Sequence, residues 1–92
     1  MYHVYIVRCA DGSFYVGYTT DLTARIESHN HGLGAAHTRK RRPVELVYSE
    51  NQPSRERAIR RERQLKGWSR RKKEALIRGD TKALRRLAKR RV

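Results

Sequence analysis

The sequence predicts an α+β domain: a small three-stranded antiparallel β-sheet in the order β-β-α-β-α-α, flanked by helices, with an extra basic helix at the C-terminal end. Three observations predict it. Residues 2–19 hold two runs rich in β-branched and aromatic side chains, separated by the turn-forming residues Ala10-Asp11-Gly12-Ser13. A third run, Pro-Val-Glu-Leu-Val-Tyr-Ser at 43–49, alternates in strand fashion. Elsewhere, apolar residues recur at helical spacing behind Ser, Thr or Asp caps. At 92 residues the chain is read as one domain with a modest core. Its body is 1–79, and 80–92 is a basic helical extension of the same domain.

Each element has a local reason. "YHVYIVR" (2–8) and "FYVGYT" (14–19) form a hairpin. Asp11-Gly12 suits a two-residue type I′ turn, which would pair Tyr5 with Tyr18 and send Tyr15 to the opposite face. The competing loop, Ala10-Asp11-Gly12 with Gly12 at positive φ, pairs Tyr5 with Gly17 and Val7 with Tyr15. Both tyrosines then share a face as diagonal neighbours, and bare Gly17 leaves a gap opposite Tyr5. Propensity alone slightly favours the first turn; the rest of the sequence selects the second. Thr20 or Asp21 caps a helix running to Asn30, with Gly32 as its stop. "GLGAAHTRKRR" reads as a Gly-rich and then basic loop. In 43–49, Val44, Leu46 and Tyr48 are expected on one face, with Pro43 opening the strand. Helices follow at about 54–67 and, between Ser69 and Gly79, at 69–79. Asp80 or Thr81 starts the last one.

Charge narrows the function classes. The chain carries net +14. Residues 1–37 hold two basic and three acidic side chains, net −1, and residues 38–92 hold 21 basic and six acidic, net +15. A near-neutral front half joined to a very basic back half implies a polyanionic partner, foremost nucleic acid. An anionic membrane surface fits less well, because the last helix has only a narrow apolar stripe. No apolar run reaches the roughly 18 residues of a membrane span, and "MYHVYIVRC" lacks the basic start of a signal peptide. The lone Cys9 cannot close an internal disulfide and has no zinc-type partner spacing, so a reducing cytoplasm is expected. Nothing in the sequence fixes the oligomeric state.

Three helical positions carry chemistry. Leu22, Ile26 and His29 share one helical stripe, with Arg25 on its edge. Leu22 and Ile26 must face the sheet, so Arg25 and His29 are drawn toward it. A snorkelling rim arginine and a boundary histidine are the plain alternative. On the 54–67 helix, Glu62 falls among Ala58, Ile59 and Leu65. A carboxylate there needs a cation, a hydrogen-bonding partner or a metal, and Arg25 and Arg55 are candidates for a purely structural ion pair.

"HVY" at 3–5, "YVG" at 15–17, Arg25 within "DLTARI", "HN" at 29–30 and "AIRRE" ending at Glu62 together resemble the GIY-YIG endonuclease family, in its small single-domain bacterial branch. The resemblance spans roughly residues 2–77. It implies a DNA endonuclease, with Tyr5, Tyr15, Arg25 and His29 as catalytic positions and Glu62 as the ligand of one Mg²⁺ or Mn²⁺. Gly17 matches the motif glycine. His3 and Val4 stand where the first motif has glycine and isoleucine. An asparagine found beyond the glutamate in some members has no match, since Asn30 and Asn51 both precede Glu62.

The chemistry fits these residue types. Phosphodiester hydrolysis needs an activated water and stabilisation of charge on phosphorus. Tyr5 could take the water's proton if a nearby cation, Arg25 or a metal, favours its phenolate. Arg25 can clamp phosphate oxygens, and Tyr15 and His29 would position water or shuttle protons. Gly17, His37, Arg39, Lys40, Arg41 and Arg42 are expected to line the substrate path. So short a chain has little room for a separate specificity domain, and it would either select DNA by shape, such as branches or flaps, or bind without selection. The competing reading is a non-catalytic nucleic-acid-binding module, associated with RNA or the ribosome. A buried-side carboxylate argues against it, because such a group repels a polyanion unless a metal intervenes.

Overall fold

The computed structural model describes residues 1–89 and forms an α+β fold around one three-stranded antiparallel sheet. The strands are β1 (Tyr2–Arg8), β2 (Phe14–Thr19) and β3 (Glu45–Gln52), in spatial order β2-β1-β3. The helices are α1 (Leu22–Asn30), α2 (Ala36–Arg39), α3 (Arg55–Lys66), α4 (Arg70–Arg78) and α5 (Thr81–Lys89). The short α2 adds one element to the expected order. It occupies part of the segment expected to be an irregular loop.

The hairpin takes the three-residue loop. The Cys9 amide donates to Ser13 O at 2.8 Å, the Gly12 amide donates to Cys9 O at 2.9 Å, and Gly12 has φ +85°. Tyr5 therefore pairs with Gly17, and Val7 with Tyr15. Long-range contacts outweigh the Asp-Gly preference. Arg41 Nε donates to Asp11 Oδ2 at 2.9 Å, and the Ala10 amide donates to Arg41 O at 2.8 Å, so the basic segment holds the turn from outside.

β1 is the central strand, and Val4 through Val7 are all buried because both sheet faces are covered. On one face Val4, Ile6 and Val16 pack with Ala58 and Leu65 of α3, joined by Trp68, Leu76 and Ile77. On the other, Tyr5, Val7, Cys9 and Val44 pack with Tyr15 and with Leu22 and Ile26 of α1. The period of α1 thus aims it as expected.

The third strand departs from the expected alternation. Leu46 pairs with Val7, but Tyr48 pairs with Ile6, so Val47 is the extra residue of a bulge. The bulge puts Leu46 and Tyr48 on opposite faces, and Leu46 is left 39% exposed. Val47 and Tyr48 both pack against the α3 side. Further along β3, Glu50 accepts from Tyr48 Oη and from Arg61 Nε of α3, the latter at 2.9 Å. This pair ties the helix to the sheet and holds the Glu50 carboxyl below its usual range against the effect of burial, while Tyr48 is pushed up to about 12, chiefly by burial.

Helix ends follow the sequence closely. Asp21, Ser54, Ser69 and Asp80 accept from the amides of Ala24, Arg57, Lys72 and Ala83, satisfying donors that helix starts leave open. Gly79 ends α4 in the left-handed region at φ +71°. In the last helix Ala83 is buried, and Val92 lies outside the described residues.

The turn gives a direct test. No heavy atom lies within 4 Å of where a Gly12 Cβ would sit. Gly12→Ala therefore reads out backbone strain alone, and urea unfolding should show a loss of about 1–2 kcal/mol. Gly12→Asn should lose less, since asparagine visits this region more readily. Equal stability of all three proteins would contradict the bulged loop.

Candidate active site

The site grows from the pairing of Tyr5 with Gly17. A Cβ on Gly17 would lie 2.5 Å from Tyr5 Oη and 2.7 Å from its Cζ. The space expected to admit substrate is thus filled by Tyr5's own ring. Glycine is needed because the phenol leans across the neighbouring strand, close to its backbone. Only 1% of Tyr5 remains exposed.

That lean brings the hydroxyl to α1. Tyr5 Oη lies 2.8 Å from His29 Nε2, and His29 is 0% exposed. On the far side of the ring, His29 Nδ1 lies 2.8 Å from Thr38 Oγ1 in α2. Tyr15 meets His29 edge to face, with centroids 5.4 Å apart, and stacks on His37 at 6.1 Å. His37 Nε2 in turn lies 2.9 Å from Ser13 Oγ. The two tyrosines and two histidines of the sequence reading therefore form one aromatic cluster on one face of the sheet.

Arg25 is half-buried at its edge, with no ion pair among the described residues. Its charge reaches both neighbours. Burial pushes the Tyr5 phenol up, and the Arg25 guanidinium offsets only part of that. Burial, and then Arg25, lowers the His29 imidazole. Arg25 acts on Tyr5 in the expected direction, toward the phenolate, but in the free protein desolvation outweighs it. Tyr5 rests as a phenol and His29 as a neutral imidazole.

Glu62 approaches from the other layer. Its helix packs on the Val4–Ile6–Val16 face, yet its charge acts on Tyr5. The Glu62 side chain is 16% exposed, and its ion partner is Lys66 at 3.6 Å, neither Arg25 nor Arg55. Lys66 Nζ also sits 5.6 Å from the centroid of the Tyr15 ring. α3 thus overhangs the edge strand β2 and brings Glu62 and Lys66 to the cluster. Among the described residues no group of three or more His, Cys, Asp or Glu side chains converges as a metal cage. A lone, loosely paired carboxylate still fits Mg²⁺, which binds through one or two carboxylates and keeps water and phosphate ligands.

The basic segment divides in two. Arg41 is held by Asp11 and by the carbonyl of His37. Arg42 donates to the carbonyls of Arg39 and Asn30. Both brace the loop. Arg39 and Lys40 are exposed and project from the end of α2. Two residues of the cluster were not singled out from sequence, Thr38 and Gly34. A Cβ on Gly34 would overlap His29 Nδ1, so this glycine clears the space in which the imidazole sits. The only sequence signal was a small-residue run, Gly34 to Ala36, directly ahead of His37-Thr38.

Two measurements probe this packing. Gly17→Ala should cost about 1–3 kcal/mol by overpacking. In a Tyr5→Leu background the same change should cost much less, since the clashing atoms are gone; additive losses in urea melts would contradict the contact. The second concerns pH. The unfolded chain takes up a proton on His29 near pH 6.5, whereas the folded chain resists it. Stability should therefore fall as pH drops below about 6.5, down to the lowered folded pKa. His29→Gln, which keeps an amide between Tyr5 and Thr38, should flatten that slope between pH 7.5 and 5.5.

Comparison with known proteins agrees with this architecture. The family model described as the GIY-YIG catalytic domain matches residues 1–75. UPF0213 proteins of Staphylococcus aureus, from strains N315 and MW2, are 51% identical over 74 residues, covering 80% of this chain and 90% of theirs. The solution NMR structure of UPF0213 protein BH0048 from Bacillus halodurans is similar at a TM-score of 0.56 and 49% identity, over 87% of this chain and 86% of that one. Protein EF2693 from E. faecalis is similar at 0.59 and 40%, over 85% and 83% of the two chains. With its fold, its paired tyrosines and these matches, the chain belongs to the GIY-YIG family, among the small UPF0213 proteins.

Proposed function

We propose that this protein is a metal-dependent endonuclease that hydrolyses phosphodiester bonds in DNA, selecting branched or flapped substrates by shape. The observation that carries this reading is the buried hydrogen bond between Tyr5 and His29, flanked by Arg25 and within reach of the Glu62 charge. A binding module has no use for a proton acceptor held behind a tyrosine, nor for a carboxylate beside it.

The proton path has a direction. An incoming water gives a proton to the Tyr5 oxygen as Tyr5 passes its own to His29 Nε2. The water oxygen bonds to phosphorus, and the bond to the leaving ester oxygen breaks. Solvent supplies the proton that the leaving oxygen takes up, and once product leaves, His29 returns its extra proton to solvent through Tyr5, which closes the cycle. Arg25 neutralises the extra charge on the phosphate oxygens. Tyr15, with Lys66 over its ring, walls the cluster on the β2 side. Glu62 would hold Mg²⁺ or Mn²⁺, and the bound ion would add Lewis-acid stabilisation to the phosphate.

Binding rests on the basic half. Arg39 and Lys40 beside the site, and Arg71, Lys82, Arg85 and Arg86 on α4 and α5, are exposed and give a surface for the phosphate backbone. Arg90 and Arg91 lie outside the described residues.

The test is incubation with plasmid and branched DNA, with Mg²⁺ or Mn²⁺ and with chelator. Cleavage should require the metal. Glu62→Ala should abolish cleavage and keep DNA binding, since loss of a negative charge does not weaken polyanion affinity. Tyr5→Phe should slow cleavage by ~10²–10⁴-fold. It should also cost about 1–3 kcal/mol of stability, because it leaves a buried His29 nitrogen without its donor. Tight binding with no metal-dependent cleavage would put the non-catalytic nucleic-acid-binding module in front.

A further inference from the structure

We infer that Thr38 is a positioning residue that sets the tautomer of His29, so that Nε2 is bare and ready to receive the Tyr5 proton. The inference rests on the Tyr5–His29 relay proposed above and adds to it a residue outside the sequence motifs. The argument is a count of protons. Thr38 Oγ1 lies 3.0 Å from Ala35 O and 2.8 Å from His29 Nδ1. A threonine hydroxyl has one proton to give and lone pairs to receive. Ala35 O can only accept; it already takes the Thr38 and Arg39 amides at 3.1 Å each, yet the two oxygens at 3.0 Å repel unless a proton lies between them, and only Thr38 has one to place there. The Thr38 proton therefore goes to Ala35 O, and Thr38 Oγ1 is an acceptor toward the ring. His29 Nδ1 must then carry the imidazole proton, which leaves Nε2 as the acceptor facing Tyr5 Oη at 2.8 Å. Tyr5 donates, and its proton already points along the path it must take.

The surroundings enforce this order. His29 and Thr38 are both 0% exposed, so no bulk water supplies a substitute donor or acceptor. Gly34 keeps the Nδ1 side clear, since any Cβ there would collide with the ring. Thr38 is the first buried residue of α2, fixed by its own amide donating to Ala35 O at 3.1 Å. With the other tautomer, Nε2–H would point at the phenol oxygen. The Tyr5 proton would then be turned away from the one base beside it. In serine-protease triads, loss of tautomer control of this kind lowers turnover by up to ~10⁴-fold.

Two readouts decide it, and the first needs no DNA. Nitrogen-15 NMR of the wild-type chain should show a neutral His29 with Nδ1 protonated and Nε2 bare. Thr38→Ser should keep that pattern, and Thr38→Val should lose it, giving the Nε2–H form or a mixture. A wild-type His29 protonated on Nε2, or a Thr38→Val protein with the unchanged tautomer, would overturn the inference. The second readout is single-turnover cleavage. Thr38→Val should lower the maximal rate by at least ~10-fold with DNA affinity unchanged, and Thr38→Ser should restore it. A full rate in Thr38→Val, or a fall in affinity alone, would also overturn it. If Thr38→Val does not fold, Thr38→Ala takes its place in both arms. If the wild-type chain cuts no DNA, the proposed function fails, and the tautomer comparison still decides the role of Thr38.

Discussion

The close approach of the Tyr5 ring to the bare backbone of Gly17 is the constraint on which the site depends. β1 is buried on both faces, so Tyr5 has no route to solvent above or below the sheet. Its ring must lie sideways over the adjacent strand, and only a residue without a side chain leaves room there. The hydroxyl is thereby carried to the α1 side, where His29 meets it. Everything else serves that meeting. The Gly12 bulge sets the register that puts Gly17 opposite Tyr5. The Asp21 cap and the Leu22–Ile26 stripe set the rotation of α1 that aims His29 inward. Gly34 and Thr38 close the other side of the imidazole.

What the sequence made legible is what short-range physics controls. The hairpin strands, the caps, the α1 stripe and the Gly79 stop each depend on neighbours within about one turn, and each was found where local rules place it, whereas the third strand, expected over 43–49 from Pro43, runs from Glu45 to Gln52. The hairpin loop was harder, because Asp-Gly chemistry pointed to the wrong turn. The requirement that Tyr5 and Tyr15 share a face pointed to the right one. The β3 bulge at Val47 was not legible, because alternation in 43–49 looks unbroken until the strand pairs with β1. Gly17 was legible as a bare position but not as a seat for Tyr5, since a one-dimensional pattern cannot say what fills a gap. Thr38 was hidden for the same reason: nothing local distinguishes a threonine in a basic loop from one buried against a histidine.

Glu62 shows how an edge strand widens what a small fold can do. Residues from opposite faces of a sheet are separated by its thickness, roughly 10 Å between packed layers. β2 ends the sheet on one side, so α3 can pack beneath it and still send Glu62 and Lys66 around the rim. Charges of both signs then meet at the tyrosine cluster, although their helices lie in different layers. A central strand could not serve, because its neighbours would block the path. The arrangement also explains why Glu62 sits on the apolar stripe of α3. From that stripe a side chain near the strand edge reaches the site, whereas one from the opposite stripe reaches only solvent.

The electrostatics explain why so reactive a cluster can rest inside a folded domain. Burial opposes charge on both partners, keeping the proton on Tyr5 and off His29. Arg25 acts on the pair with opposite consequences: it favours the phenolate and opposes the imidazolium. At rest these effects partly cancel for proton transfer, and desolvation decides in favour of the neutral pair. Under the proposed reaction, a bound phosphate compensates the Arg25 charge and removes its opposition to the imidazolium. The transferred proton then sits on His29 near the phosphate anion instead of facing an unpaired guanidinium. The pull of Arg25 on Tyr5 weakens at the same moment, so its two opposed effects fade together, and the transferred proton gains chiefly from the phosphate anion now near His29. Arg25, which has no ion pair among the described residues, is the residue through which the phosphate acts on the pair.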